Sequence, residues 1–177
     1  DRERVERVAE GLAAVREAEG RVFFIGLGGS AAHASHAAAD FRKLCDLNTV
    51  CLSDNYAAFS AAANDEDWDD SFVTLMEQHG FNEDDALFAL SVGGGSNRVS
   101  APIMEALRYA LRCRGKRFAI VGRDGGTAVE AAAYIWIPPT YPAHVTPHTE
   151  GLMSVVLHCL VSHPALQVQR PKWESLG

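Results

Sequence analysis

The chain has 177 residues, 47% of them hydrophobic and 22% charged, the composition of an ordinary globular protein that can bury a full core within one domain. A formal net charge of −7 argues against a nucleic-acid binder, which would present a basic face. No apolar run approaches the roughly 20 residues that span a bilayer, and the opening Asp1-Arg2-Glu3-Arg4 carries no secretory signal pattern. Cys45, Cys51, Cys113 and Cys159 are scattered without a CxxC pair, the usage expected of thiols in a reducing cytoplasm.

Residues 1–19 alternate charges with Val5, Val8, Leu12 and Val15 at helical spacing, and Gly20 ends that helix. Its apolar stripe is expected to dock on its own domain or on a second subunit. Residues 21–25 read as a strand that runs into Gly26-Leu27-Gly28-Gly29-Ser30. Ser30 is expected to N-cap an alanine-rich helix over 31–44, which carries His33, His36 and Asp40 on one face. Residues 48–52 form a second strand ending in Ser53-Asp54-Asn55. A short helix to about 63 follows, then the acidic break Asn64-Asp65-Glu66-Asp67.

A helix over 68–79 and a turn at 82–85 lead to a third strand, 86–90, and a second glycine loop, Ser91-Val92-Gly93-Gly94-Gly95-Ser96. Next come a helix over 99–114 with Pro102 in its first turn, a strand over 117–121 and the loop Gly122-Arg123-Asp124-Gly125-Gly126. A short helix to 133, a strand over 134–137, a proline-punctuated loop and a last helix over 148–162 complete the pattern.

Strands alternating with helices predict an α/β protein, a three-layer sandwich around a five-stranded parallel sheet. Ligands of such sheets bind beyond the carboxyl ends of the strands. Each of the two glycine loops leaves a strand and opens a helix, so backbone N–H groups and the positive helix end converge where an anion, usually phosphate, is favoured. Two such loops in one small domain point to a phosphorylated small molecule. Gly26-Leu27-Gly28-Gly29-Ser30-Ala31 also fits the dinucleotide pattern G-x-G-x-x-A, with Asp54 where an acid is expected. A nicotinamide domain, however, has no use for the second loop or for the histidine and carboxylate stripes.

On the last helix Glu150, Ser154, His158 and Ser162 recur every four residues within an otherwise apolar segment. The plain reading is a polar exposed face. Together with His36 and Asp40, two histidines and two carboxylates also suit a four-ligand divalent metal site of the zinc type. They equally supply a carboxylate and an imidazole for general acid–base work.

The order of these motifs, from Gly-x-Gly-Gly-Ser through Ser53-Asp54-Asn55, Ala63-Asn64-Asp65, the Ser91–Ser96 loop and Gly122-Arg123-Asp124-Gly125-Gly126 to the final helix, resembles sugar isomerase (SIS) domains. Within them the chain resembles the sedoheptulose 7-phosphate isomerase, or phosphoheptose isomerase, family, over nearly its whole length. The resemblance implies one flavodoxin-like SIS domain over 1–177 and ketose–aldose isomerisation through a cis-enediol. It makes Asp40 and His158 the acid and base, and His36, Asp40, Glu150 and His158 the ligands of zinc or another divalent metal. It assigns contacts to the sugar phosphate to Gly28, Gly29, Ser30, Asp54, Asn64, Ser91, Gly93, Gly94, Gly95, Ser96 and Glu150. A cytoplasmic homotetramer with a site shared between subunits is the implied assembly. The chain departs from the family at Asp40 (Glu in the family), Glu150 (Gln), Leu27 (Asn) and His33 (commonly Asp), and in a loop thinned to glycines between Ser91 and Ser96. The alternatives are an SIS enzyme acting on another sugar phosphate and a non-catalytic phosphosugar-binding regulator.

Overall fold

The strand residues divide between two cores, and that division sets the architecture. In the computed structural model, which describes residues 2–130, 133–172, 174 and 176, the strands are β1 (Arg21–Gly26), β2 (Asn48–Cys51), β3 (Ala86–Ser91), β4 (Lys116–Val121) and β5 (Ala133–Trp136). All neighbours pair in parallel, in the order β2-β1-β3-β4-β5. The central β3 is buried along its entire length, as a parallel strand covered on both faces must be.

Val22, Phe24, Phe88, Phe118 and Ile120 face one core, which α1 (Arg2–Glu17), α2 (Gly29–Cys45) and α6 (Val145–Val161) close. Phe23, Ile25, Leu87, Ala89 and Ala119 face the other, beneath α3 (Tyr56–Asp65), α4 (Ser71–Gln78) and α5 (Ala101–Arg112). Phe24 stacks on Phe88 with ring centroids 5.3 Å apart, tying β1 to β3 across the first core. At the amino-terminal edge of the sheet, Asp85 Oδ1 accepts from Arg21 N and Nε, and Asp85 Oδ2 accepts from Arg21 Nη2 at 2.6 Å and from Asn82 N. This pair anchors β1 to β3 at the end opposite the glycine loops.

The stripe of α1 meets the first of its two expected outcomes, docking on its own domain: Val8, Ala9, Leu12 and Val15 are fully buried in the first core. Several local expectations are corrected. Helix α2 starts at Gly29, with Gly28 (φ 60°) as N-cap and no side-chain cap, so Ser30 lies inside the helix and does not cap it. Only glycine enters that left-handed conformation without strain. Helix α4 starts at Ser71, because Asp69 N donates to Asp67 Oδ1 in a side-chain turn that competes with helix.

Helix α5 starts after Ser100, whose φ of 57° breaks the backbone. Helix α6 starts at Val145 and takes Pro147 into its first turn, where no intrahelical N–H bond is lost. The helix expected up to residue 133 is a short 3-10 segment, Gly126–Glu130, and residues 131 and 132 lie outside the described residues. Among the described residues no helix is long and apolar enough to cross a membrane.

Candidate functional site

The chain leaves β1 toward β2 on one side of the sheet and leaves β3 toward β4 on the other, so the carboxyl ends of β1 and β3 flank a topological switch point. Both glycine loops stand there. They border a cleft of about 780 Å³ that Gly28, Gly29 and Ser30 line from the first loop, and Ser91, Gly93 and Ser96 from the second. The amino-terminal end of α2 opens into it, which provides the anion-favouring geometry of a helix start. Leu27 forms part of the wall.

Gly94 and Gly95 do different work from that expected. They are buried, with φ of 73° and 81°, and do not line the cleft. Gly94 N donates to Ser91 Oγ, while the Gly94 and Gly95 carbonyls accept from Ala128 N and Thr127 N, each at 3.0 Å. A Cβ on Gly94 would overlap the carbonyl oxygen of Gly125. These glycines let two loops meet backbone to backbone, a packing role that glycine alone fills there.

Two further residues expected at the substrate lie elsewhere. Asp54 follows the edge strand β2 and lines a separate cavity of about 360 Å³ with Arg42, Cys51 and His79. Asn64 is exposed on α3, where its Nδ2 donates to Asp65 Oδ1 at 2.7 Å. Both belong to the β2 side of the sheet, one strand removed from the switch point.

The second focus lies between α2 and α6. His36 Nε2 and His158 Nε2 are 3.2 Å apart, and Asp40 Oδ2 lies 3.3 Å from the first and 3.6 Å from the second. The imidazoles meet edge to face at 75°. Both histidine side chains are half exposed, at 53% and 54%, so the group is open to a ligand. Among the described residues this is the one cluster of three or more metal-ligating side chains, and His33 is not in it.

Glu150 is not in it either. Its carboxylate rests against Gly29, where a Cβ would meet it, and it lines the glycine-loop cleft. Eight residues of α6 separate Glu150 from His158, about 12 Å of helix rise. Within one chain the four-ligand set therefore divides into a three-residue cluster and a carboxylate at the cleft. Helices α2 and α6 run side by side in the same direction, with Glu150 meeting the start of α2 and His158 meeting its middle.

Sequence reasoning passed over two cationic side chains that line the cleft, Arg98 and Arg123. The signals were present: Arg123 sits inside the Gly122–Gly126 motif, and Arg98 lies two residues beyond Ser96. Neither is marked by helical or strand periodicity, because both are on loops.

Fold and cleft together define a SIS domain, and the chain matches that family over residues 1–112. It is 36% identical to the phosphoheptose isomerase of Chlorobium phaeovibrioides, across 85% of this chain and 68% of that protein. It is 39% identical to the lincomycin biosynthesis protein LmbN of Streptomyces lincolnensis, across 82% of this chain and 56% of that longer protein. Among solved structures it is similar to phosphoheptose isomerase GmhA from Neisseria gonorrhoeae, with a TM-score of 0.79 and 26% identity over 90% of this chain and 83% of that one. The chain belongs to the phosphoheptose isomerase family.

Proposed function

We propose that the chain is a phosphosugar aldose–ketose isomerase that interconverts sedoheptulose 7-phosphate and its aldose isomer by moving a proton between C1 and C2 through a cis-enediol. The observation that carries the reading is the meeting of Asp40 with His158 on one pair of helices whose other end borders the glycine-loop cleft. The two ends are about 12 Å apart by helix rise. An extended seven-carbon chain with its terminal phosphate is about 10 Å long, from ordinary bond lengths and angles. A substrate phosphate at the start of α2 would therefore leave C1 and C2 near the cluster.

In this reading Asp40 and His158 are the catalytic residues, dividing the work of carrying the carbon-bound proton and of protonating and deprotonating the carbonyl oxygen. Gly28, Gly29, Ser30, Ser91, Gly93 and Ser96 line the phosphate end, and Glu150 stands at that same end beside Gly29. The donor set His36, Asp40 and His158 fits zinc: its atom-to-atom distances of 3.2–3.6 Å match the edge of about 3.3 Å of a tetrahedron with bonds of 2.0–2.1 Å. Zinc bound there would polarise a substrate carbonyl.

The exposed face of α6 beside His158 carries Leu152 and Val155, 45% and 56% exposed. An apolar face beside the cluster supports a homo-oligomer, a tetramer in our reading, with this face covered by another subunit. Four free cysteines support a reducing, cytoplasmic setting.

The test is solvent exchange at C1 and C2, followed by NMR over a panel of ketose phosphates. Exchange with sedoheptulose 7-phosphate is the expected result. Binding of the sugar phosphate without exchange at either carbon would replace the enzyme with a phosphosugar sensor.

A further inference from the structure

The loop of residues 91–96 has fewer donors left for a phosphate than its serines and glycines suggest. Ser96 Oγ accepts from Arg98 N and Val99 N and donates to Val99 O, so it is committed to its own turn. Ser91 Oγ accepts from Gly94 N, which removes that backbone donor from the cleft. Gly94 and Gly95 are buried against the loop after β4. The cleft also contains two acids, Asp124 and Glu150, the latter at the very start of α2 where a phosphate would settle. A dianion entering this cleft meets fewer donors and more negative charge than the glycine pattern implies.

Two arginines line the same space, and Arg123 also borders a neighbouring cavity beside Pro139 and Pro142. Arg98 and Arg123 line the cleft from opposite loops, and neither forms an ion pair with a carboxylate among the described residues. Their backbones are held while the side chains stay exposed. Arg98 N is bonded to Ser96 Oγ, and Arg123, in the left-handed region at φ 45°, has its carbonyl fixed by Trp136 Nε1 at 2.8 Å. Only arginine presents a planar fork of donors that fits two phosphate oxygens at once. Asp124 Oδ1 accepts from Gly126 N, and Asp124 forms no ion pair with Arg123 among the described residues.

We infer that Arg98 and Arg123 form a clamp on the substrate phosphate, supplying the charge and the donors that the 91–96 loop lacks. This rests on the isomerase reading for the identity of the sugar, but the phosphate contact is testable without turnover. The clamp acts on a group remote from the reacting carbons, so it contributes equally in ground and transition states and sets KM more than kcat.

The experiment titrates inorganic phosphate, sedoheptulose 7-phosphate and unphosphorylated sedoheptulose into the wild type, Arg98→Gln and Arg123→Gln by calorimetry, and measures kcat and KM for each. Circular dichroism checks that the variants fold; both positions are on the surface, and Arg98→Lys and Arg123→Lys serve as milder changes. Each glutamine variant is expected to weaken phosphate about tenfold to a hundredfold, the worth of a charged hydrogen bond. KM rises in step, kcat is largely kept, and each lysine variant is partly restored. Unchanged phosphate affinity in both glutamine variants overturns the clamp, as does an equal loss for the unphosphorylated sugar. A wild type that binds phosphate through these arginines yet exchanges no C1 or C2 proton upholds the clamp and defeats the isomerase reading alone.

Discussion

His36 Nε2 and His158 Nε2 lie 3.2 Å apart although 122 positions separate the two residues in the chain. At that distance the two rings share a hydrogen bond from one imidazole N–H to the other ring nitrogen, or hold a cation between them. Asp40 Oδ2, close to both, adds the negative charge that favours either. The arrangement is a cluster of three side chains that could hold a metal ion, built by the side-by-side packing of α2 and α6.

Replacing His158 with alanine removes one of the two groups assigned to proton transfer. Turnover is expected to fall about 10²–10⁴-fold, the usual worth of a positioned acid or base. Inorganic phosphate should bind as before, because its cleft lies at the other end of α6. Steady-state kinetics and a phosphate titration on one preparation check both halves, and undiminished turnover removes His158 from its role.

Metal content provides a separate test of the cluster. Protein purified without chelator is expected to hold about one zinc or similar ion per chain, to lose it with a strong chelator, and to regain turnover when it is restored. His36→Ala should hold markedly less, by elemental analysis at matched protein concentration. Metal-free protein with full turnover would separate catalysis from the metal.

The two loops that meet at Gly94 tolerate no side chain there. Gly94→Ala places a Cβ on the Gly125 carbonyl and forces a φ of 73° on a residue that resists it. The strain alone costs about 1–3 kcal/mol, which lowers the melting temperature by roughly 2–4 °C for each kcal/mol in a chain of this size. Gly93→Ala meets nothing within 4 Å and serves as the control.

Asp85 is 1% exposed, and Arg21 is the charge that balances it. Arg21→Met strands a buried carboxylate and is expected to lose about 3–5 kcal/mol in denaturant unfolding. The double variant Arg21→Met, Asp85→Leu should recover a good part of that, since it removes the unpaired charge together with its partner. A double variant no better than the single would show that the pair acts through geometry and not charge.

Burial pushes the Cys45 thiol up from 9.0 to about 11, against the pull of the Arg16 guanidinium. Near neutral pH it should resist alkylation in the folded protein and react once the chain is unfolded in denaturant, as mass spectrometry of iodoacetamide-treated protein will show. The unfolded chain releases this proton at lower pH than the folded one. This group's contribution to stability is therefore complete below about pH 9 and is lost as pH rises toward about 11. Cys45→Ala should flatten that decline.

Much of the fold was legible in the chain alone. Buried parallel strands are short apolar runs, the helices between them carry 3.6-residue stripes, and glycines mark where strand turns into helix. The five strands and their order of appearance follow from those patterns. Element ends did not, because Pro147, Ser100 and Asp67 act through local bonds and backbone angles that composition does not reveal. The same division runs through the site. Spacing placed His36 with Asp40 and Glu150 with His158, each pair on one face of one helix. Helix spacing could not say which ends of those faces would meet. That was decided by the direction in which α6 lies along α2, which brings His158 to Asp40 and leaves Glu150 at the cleft. Gly94 and Gly95 looked in sequence like anion-binding glycines, yet contact with the loop after β4 makes them packing residues. Arg98 and Arg123 bore no periodic mark and came together only because β3 and β4 are neighbours. A sequence records which groups a segment can offer, while the meeting of distant segments depends on how the layers dock, and that is a property of the whole core.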